Sequence, residues 1–215
     1  MSAKPDSGPP DAALAARYER TVRALRGRRI TAVAYHPLRE GGPAGAAADR
    51  VAGPAAVEAW DFDTWHLPTL GVVFALDDGS SALATWNRTF AGCGLEVSVS
   101  PTRAGLRDIA PAGGPAEVDA SAHPRWAALL GQPLTAVDIC WREAPLSDRR
   151  WPAAVRWEAA GGSVWTAAGA PVAWPFDGRF QLGTDDVLVV FDPGLAARAG
   201  LGGGRRRRGR VRAAT

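Results

Sequence analysis

The densest set of chemically competent side chains is Trp60-Asp61-Phe62-Asp63-Thr64-Trp65-His66. Two carboxylates and an imidazole in one short segment could form part of a metal site, because transition-metal ions take imidazole and carboxylate donors. Paired carboxylates could also do acid–base work. Two features count against both. Residues i and i+2 converge only where the chain is extended. No second ligand cluster is evident either, since His36 and His123 each stand alone beside a proline. Aspartates in such a loop ordinarily make local turn hydrogen bonds. The sequence therefore predicts no metal and no cofactor. Asp61, Asp63 and His66 remain candidate contacts for a ligand or partner.

Tryptophan is the other unusual feature, with nine residues against two tyrosines. A buried indole contributes a large apolar surface and an N–H that wants a partner. Trp157 and Trp165 fall in strand-like runs, where core packing is the natural reading. Trp60, Trp65, Trp151 and Trp174 fall in loop-like segments beside Pro or Asp. Together these four could line an apolar pocket or anchor an interface; alternatively they plug the ends of a β structure.

Other chemistries lack support. There is no G-x-S-x-G elbow, no phosphate-binding G-x-x-x-x-G-K-[ST] and no G-x-G-x-x-G after a strand. Cys93 and Cys140 do not form a C-x-x-C pair, and two cysteines are too few for a disulfide framework. No catalytic residue is assigned, and the balance favours a protein that is not an enzyme.

Charge is unevenly placed. The formal net charge of +3 includes Arg205, Arg206, Arg207, Arg208, Arg210 and Arg212, so the rest of the chain is mildly acidic. This block follows the glycine-rich stretch Gly200–Gly204 and reads as a disordered tail. Weak, salt-dependent nucleic-acid contact through it is one expectation. A folded basic stripe, the usual nucleic-acid signature, is missing. No apolar run is long enough for a membrane span, and the N-terminus lacks a secretory h-region. The expected location is the cytoplasm.

These residues need elements to position them. Leu14, Tyr18, Val22 and Leu25 recur at helical spacing after Asp11, a candidate cap, and Gly27 is a reasonable stop. Strands are predicted at 30–35, 71–76, 81–86 and 95–100, with a hairpin turn at Asp77-Asp78-Gly79 and with Leu95, Val97 and Val99 facing inward. The pattern L-x-G-x-x-[IL]-T-A-V then occurs twice, at Leu25–Val33 and Leu129–Val137, offset by 104 residues. A short helix at 123–130 precedes the second copy. A hairpin around Gly161-Gly162 and a strand at 187–191 follow it, so the order helix, strand, hairpin, strand repeats.

The expected fold is mainly β, with two related halves of a helix and about four strands each, packed as one pseudo-symmetric barrel or sandwich. The expected boundaries are a disordered 1–11, a first half at 12–101, a linker at 102–122, a second half at 123–199 and a Gly/Arg tail at 200–215. The functional expectation is a non-enzymatic binding or interaction module whose partner is another protein. The alternative is a small-ligand-binding protein or enzyme with a Trp-lined site between the halves.

Overall fold

The computed structural model describes residues 10–38, 59–90, 94–102, 116–143 and 149–202. Residues 1–9, the loop at 39–56, much of the 102–122 linker, Cys93 and the arginine tail lie outside the described residues; Pro10 and Asp11, expected in the disordered N-terminus with Asp11 as cap, instead form the first turn of a helix.

The chain runs α1 (Pro10–Arg23), β1 (Ile30–Tyr35), β2 (Trp65–Thr69), β3 (Gly71–Leu76), β4 (Ser81–Asn87), β5 (Gly94–Ser100) and β6 (Val118–Asp119). A 3-10 turn at Pro124–Trp126 leads to β7 (Ala136–Glu143), β8 (Arg150–Ala159), β9 (Gly162–Pro171), β10 (Phe180–Val190) and α2 (Pro193–Arg198). The strands form two five-stranded antiparallel sheets, ordered β5-β4-β3-β1-β6 and β2-β10-β9-β8-β7. The sheets pack face to face as a sandwich, with Phe74 of one against Trp157 of the other at 4.5 Å between ring centroids. Among the described residues, no helix is long and apolar enough to cross a membrane.

Both sheets carry the same strand order, with β1, β3, β4 and β5 matching β7, β8, β9 and β10. Each gains a fifth strand from elsewhere, and β2, lying early in the chain, joins the late sheet through β10. The two L-x-G-x-x-[IL]-T-A-V segments lie side by side. Gly27 N–H donates to the Leu134 carbonyl at 2.8 Å, and Gly131 N–H donates to the Ile30 carbonyl at 2.9 Å. These are the same bond given in both directions between equivalent positions. Both glycines have left-handed backbones, φ +85° and +71°, which is the reason the pattern holds glycine there.

One open edge of the sandwich is covered by α1. Its apolar stripe of Leu14, Tyr18, Val22 and Leu25 faces inward as the spacing predicts, and the Tyr18 hydroxyl donates to the Leu95 carbonyl at 2.8 Å. Among the described residues, the opposite edge, where β6 and β2 lie, carries no α-helix; the 3-10 turn at Pro124–Trp126 follows β6 there.

Several expectations are corrected. Val99 shares the face of β5 with Leu95 and Val97 but is 44% exposed, because it lines the open cleft beside α1 rather than the core. The helix expected at 123–130 is one 3-10 turn, since Pro124 and the following turns allow only a short coil. Trp65 and Trp151 are buried strand residues rather than loop residues. Pro68 conceals the strand at Trp65; it is tolerated because β2 is a sheet edge, where a missing N–H costs no ladder bond.

The β8–β9 turn is tightly seated. A Cβ on Gly161 would stand 2.6 Å from the Ala128 carbonyl oxygen. Gly161→Ala is accordingly expected to lower the unfolding free energy by about 1–3 kcal/mol. Urea denaturation checks this, and an unshifted midpoint would show that the 127–130 turn yields freely.

Candidate functional site

Trp60 to Leu67 folds back as a tight hairpin. Leu67 N–H donates to the Trp60 carbonyl at 2.7 Å, and Phe62 N–H donates to the Trp65 carbonyl at 3.1 Å. Asp61 and His66 therefore oppose each other as an antiparallel pair. The reversal needs a left-handed residue, and Asp63 supplies it at φ +64°, a conformation aspartate tolerates better than most side chains. The Asp63 N–H donates to Asp61 Oδ1 at 2.9 Å, the local turn bond that loop aspartates commonly make.

A second segment meets this hairpin from sheet one. Strand β6 pairs with β1 and carries the chain into His123-Pro124-Arg125-Trp126. His123 Nε2 lies 3.2 Å from Asp61 Oδ2, and His66 Nε2 lies 3.3 Å from Asp61 Oδ1. One carboxylate thus stands between two imidazoles, and a donor atom from each of the three residues falls within 4.8 Å of the other two. The Arg125 N–H donates to His123 Nδ1 at 3.3 Å. Behind the site, His66 Nδ1 is hydrogen-bonded to the Tyr35 hydroxyl at 2.7 Å, and Trp126 Nε1–H donates to the same hydroxyl at 2.9 Å. Trp60 stands edge-on to both imidazoles, and Phe191 stands edge-on to His66.

Burial is graded through the site. His66 is fully buried, His123 partly buried, and Asp61 the most open, with 43% of its side chain exposed. Burial pushes the His66 pKa down to about 4; the neighbouring His123 adds to this and the Asp61 charge opposes it. His66 is therefore neutral at pH 7. Partial burial works to raise the Asp61 pKa, but the Asp63 N–H and the two imidazoles outweigh it and hold the carboxyl below its ordinary value. Asp61 is an anion beside the neutral His66 ring. Although fully buried, His66 Nε2 has no aligned hydrogen-bond partner.

Of the residues singled out from sequence, Trp60, Asp61 and His66 converge. Asp63 points away and pairs with Arg125 at 2.5 Å. Trp65 lies on the other side of β2, stacked on Phe62 at 4.4 Å and set against Phe176 and Phe180. Trp174 is 59% exposed beside Phe62 in this second aromatic group. Trp151 belongs to the main core, away from both. The reading of His123 as solitary is corrected, because the β1–β6 pairing closes a gap of 62 residues between it and Asp61. Tyr35, His123, Arg125 and Trp126 carried no sequence signal beyond the unusual run His-Pro-Arg-Trp.

A cleft of about 680 Å³ lies at the opposite edge, between α1 and strand β5, with Leu76 and the β3–β4 turn at one end. Leu14, Leu25, Leu76 and Val97 line it, with Arg17, Arg28 and Glu96 among its polar groups. It holds no convergent donor set comparable to the carboxylate and two imidazoles.

No protein-family model, curated protein or solved structure matches this chain.

Proposed function

We propose that this protein binds a small ligand and that its binding site is the Asp61–His66–His123 cluster at the β2–β6 edge of the sandwich. The observation that supports the reading is the convergence of two segments far apart in sequence, which bring an anionic carboxylate and two imidazoles together beside Trp60. Such a group suits a ligand that accepts electron pairs, either a cation or a donor-rich polar molecule.

Thermal-shift measurements with a panel of metal cations, amines and polyols test this. At least one should raise the melting temperature of the wild-type chain and not that of Asp61→Asn, with a shift that grows with ligand concentration. Equal shifts in both proteins, or none in either, would remove the site from consideration.

A specific observation also favours a protein partner. Trp174 and Val172 are 59% and 49% exposed on one turn region, and exposed aromatic groups are common interface anchors. The reciprocal Gly27–Leu134 and Gly131–Ile30 bonds and the matching strand orders support an origin by internal duplication.

A further inference from the structure

We infer that the ligand of this cluster is a divalent transition-metal ion of the zinc class, coordinated by Asp61, His66 Nε2 and His123 Nε2. The inference rests on the ligand-binding reading above and names its chemistry.

Spacing is the first argument. A tetrahedral ion with bonds of about 2.0–2.2 Å holds neighbouring donor atoms roughly 3.3–3.5 Å apart. The two imidazole nitrogens lie 3.3 and 3.2 Å from the two oxygens of Asp61. The three donor atoms all lie within 4.8 Å of one another, so the widest pair closes by up to about 1.5 Å to hold an ion.

Donor chemistry is the second. Two imidazoles and a carboxylate suit zinc, iron or cobalt, whereas magnesium and calcium take oxygen donors almost exclusively. The third argument is the state of His66 Nε2, buried completely, aimed at Asp61 and without an aligned hydrogen-bond partner. A buried polar nitrogen left this way is costly, and a metal ion would satisfy it.

The surroundings of His66 also fit. Metal-ligating histidines usually give their other ring N–H to a fixed acceptor, which sets the tautomer and the ring angle. Ligation through Nε2 requires His66 Nδ1–H to donate to the Tyr35 oxygen at 2.7 Å, which also accepts from Trp126 Nε1–H at 2.9 Å, so the Tyr35 proton turns elsewhere when the metal binds. At His123 the present contacts place the ring proton on Nε2, because Nδ1 accepts from the Arg125 N–H. Metal binding moves that proton to Nδ1 and gives up this contact. At 3.3 Å it is a long bond and a small loss. Three protein donors leave a further coordination position on a tetrahedral ion.

The test uses the full chain, stripped with a chelator and titrated with Zn²⁺ against a chromophoric chelator, with Co²⁺ absorption reporting coordination. One ion should bind per chain. His123→Ala and Asp61→Ala should each weaken binding by at least about 100-fold, since even outer partners of metal ligands are worth about 10–100-fold. Tyr35→Phe should cost about 10-fold on the same basis. Asp138→Asn, on the far strand β7, should leave affinity unchanged. His123 is partly exposed, so its alanine variant decides the matter even if changes at buried His66 prevent folding.

Zinc that binds with wild-type affinity to His123→Ala and Asp61→Ala overturns the inference. Should zinc fail while an amine or polyol stabilises the wild type but not Asp61→Asn, the ligand reading survives and the metal assignment falls. If nothing binds, both fall together.

Discussion

Replacing Trp126 with alanine is expected to lower the unfolding free energy by about 3–5 kcal/mol, the usual range for truncating a buried large aromatic. The ring is fully buried and packs against Phe74 at 5.6 Å and Phe191 at 5.2 Å. Its indole N–H is also the donor that holds the Tyr35 hydroxyl under His66. Truncation therefore opens a cavity where the sheets meet and frees the group that orients the buried imidazole. Trp126→Phe separates these effects: it keeps most of the packing but removes the N–H, and should cost about 1–3 kcal/mol for the hydroxyl left without its donor. Urea denaturation of both variants supplies the numbers. A loss below about 1 kcal/mol for Trp126→Ala would contradict the central place given to this ring.

Acid should destabilise the metal-free protein by about 3 kcal/mol between pH 7 and pH 4 through His66. The folded pKa of about 4 lies below the ordinary 6.5 because the ring is buried. Between those values the unfolded chain takes up a proton that the folded chain does not. Stability is thus complete above about pH 6.5 and declines as the pH falls toward 4. Asp61, whose carboxyl is also held below its ordinary value, acts in the same direction at the acid end of the range. His66→Gln retains a polar group beside Tyr35 and does not titrate. The difference in urea midpoint between pH 7 and pH 4.5 should therefore be smaller in this variant than in the wild type. Equal pH dependence in the two proteins would place the acid sensitivity elsewhere.

Strands β1, β3 and β4 were legible because their apolar runs end in strong turn chemistry. Asp78 bonds Ser80 and Gly79 takes φ +82° just where the hairpin was expected. Helix α1 was legible from the spacing of Leu14, Tyr18, Val22 and Leu25. Strand β2 was not. Its sequence Trp-His-Leu-Pro-Thr breaks the pattern of a central strand, and only its edge position beside β10 makes it one. Thr69, at φ +56°, turns the chain straight from β2 in one sheet into β3 in the other, and no local preference of threonine foretells that.

The candidate site divides in the same way. Residue type alone drew attention to Asp61 and His66, because carboxylate and imidazole are chemically distinctive wherever they stand. Their pairing depends on a hairpin that joins positions i and i+5, where a reading of the segment as loop had weighed i and i+2. The third member, His123, is brought in by a two-residue pairing of β6 with β1, too short to leave a periodic signal. The sequence by itself determined that this is a mainly β protein, a barrel or a sandwich, in which one short pattern occurs twice, because strand patterns and turns are local properties of the chain. Only the tertiary structure decided which carboxylate meets which imidazole, because contacts across 62 residues depend on how the two sheet edges close on each other rather than on any local spacing.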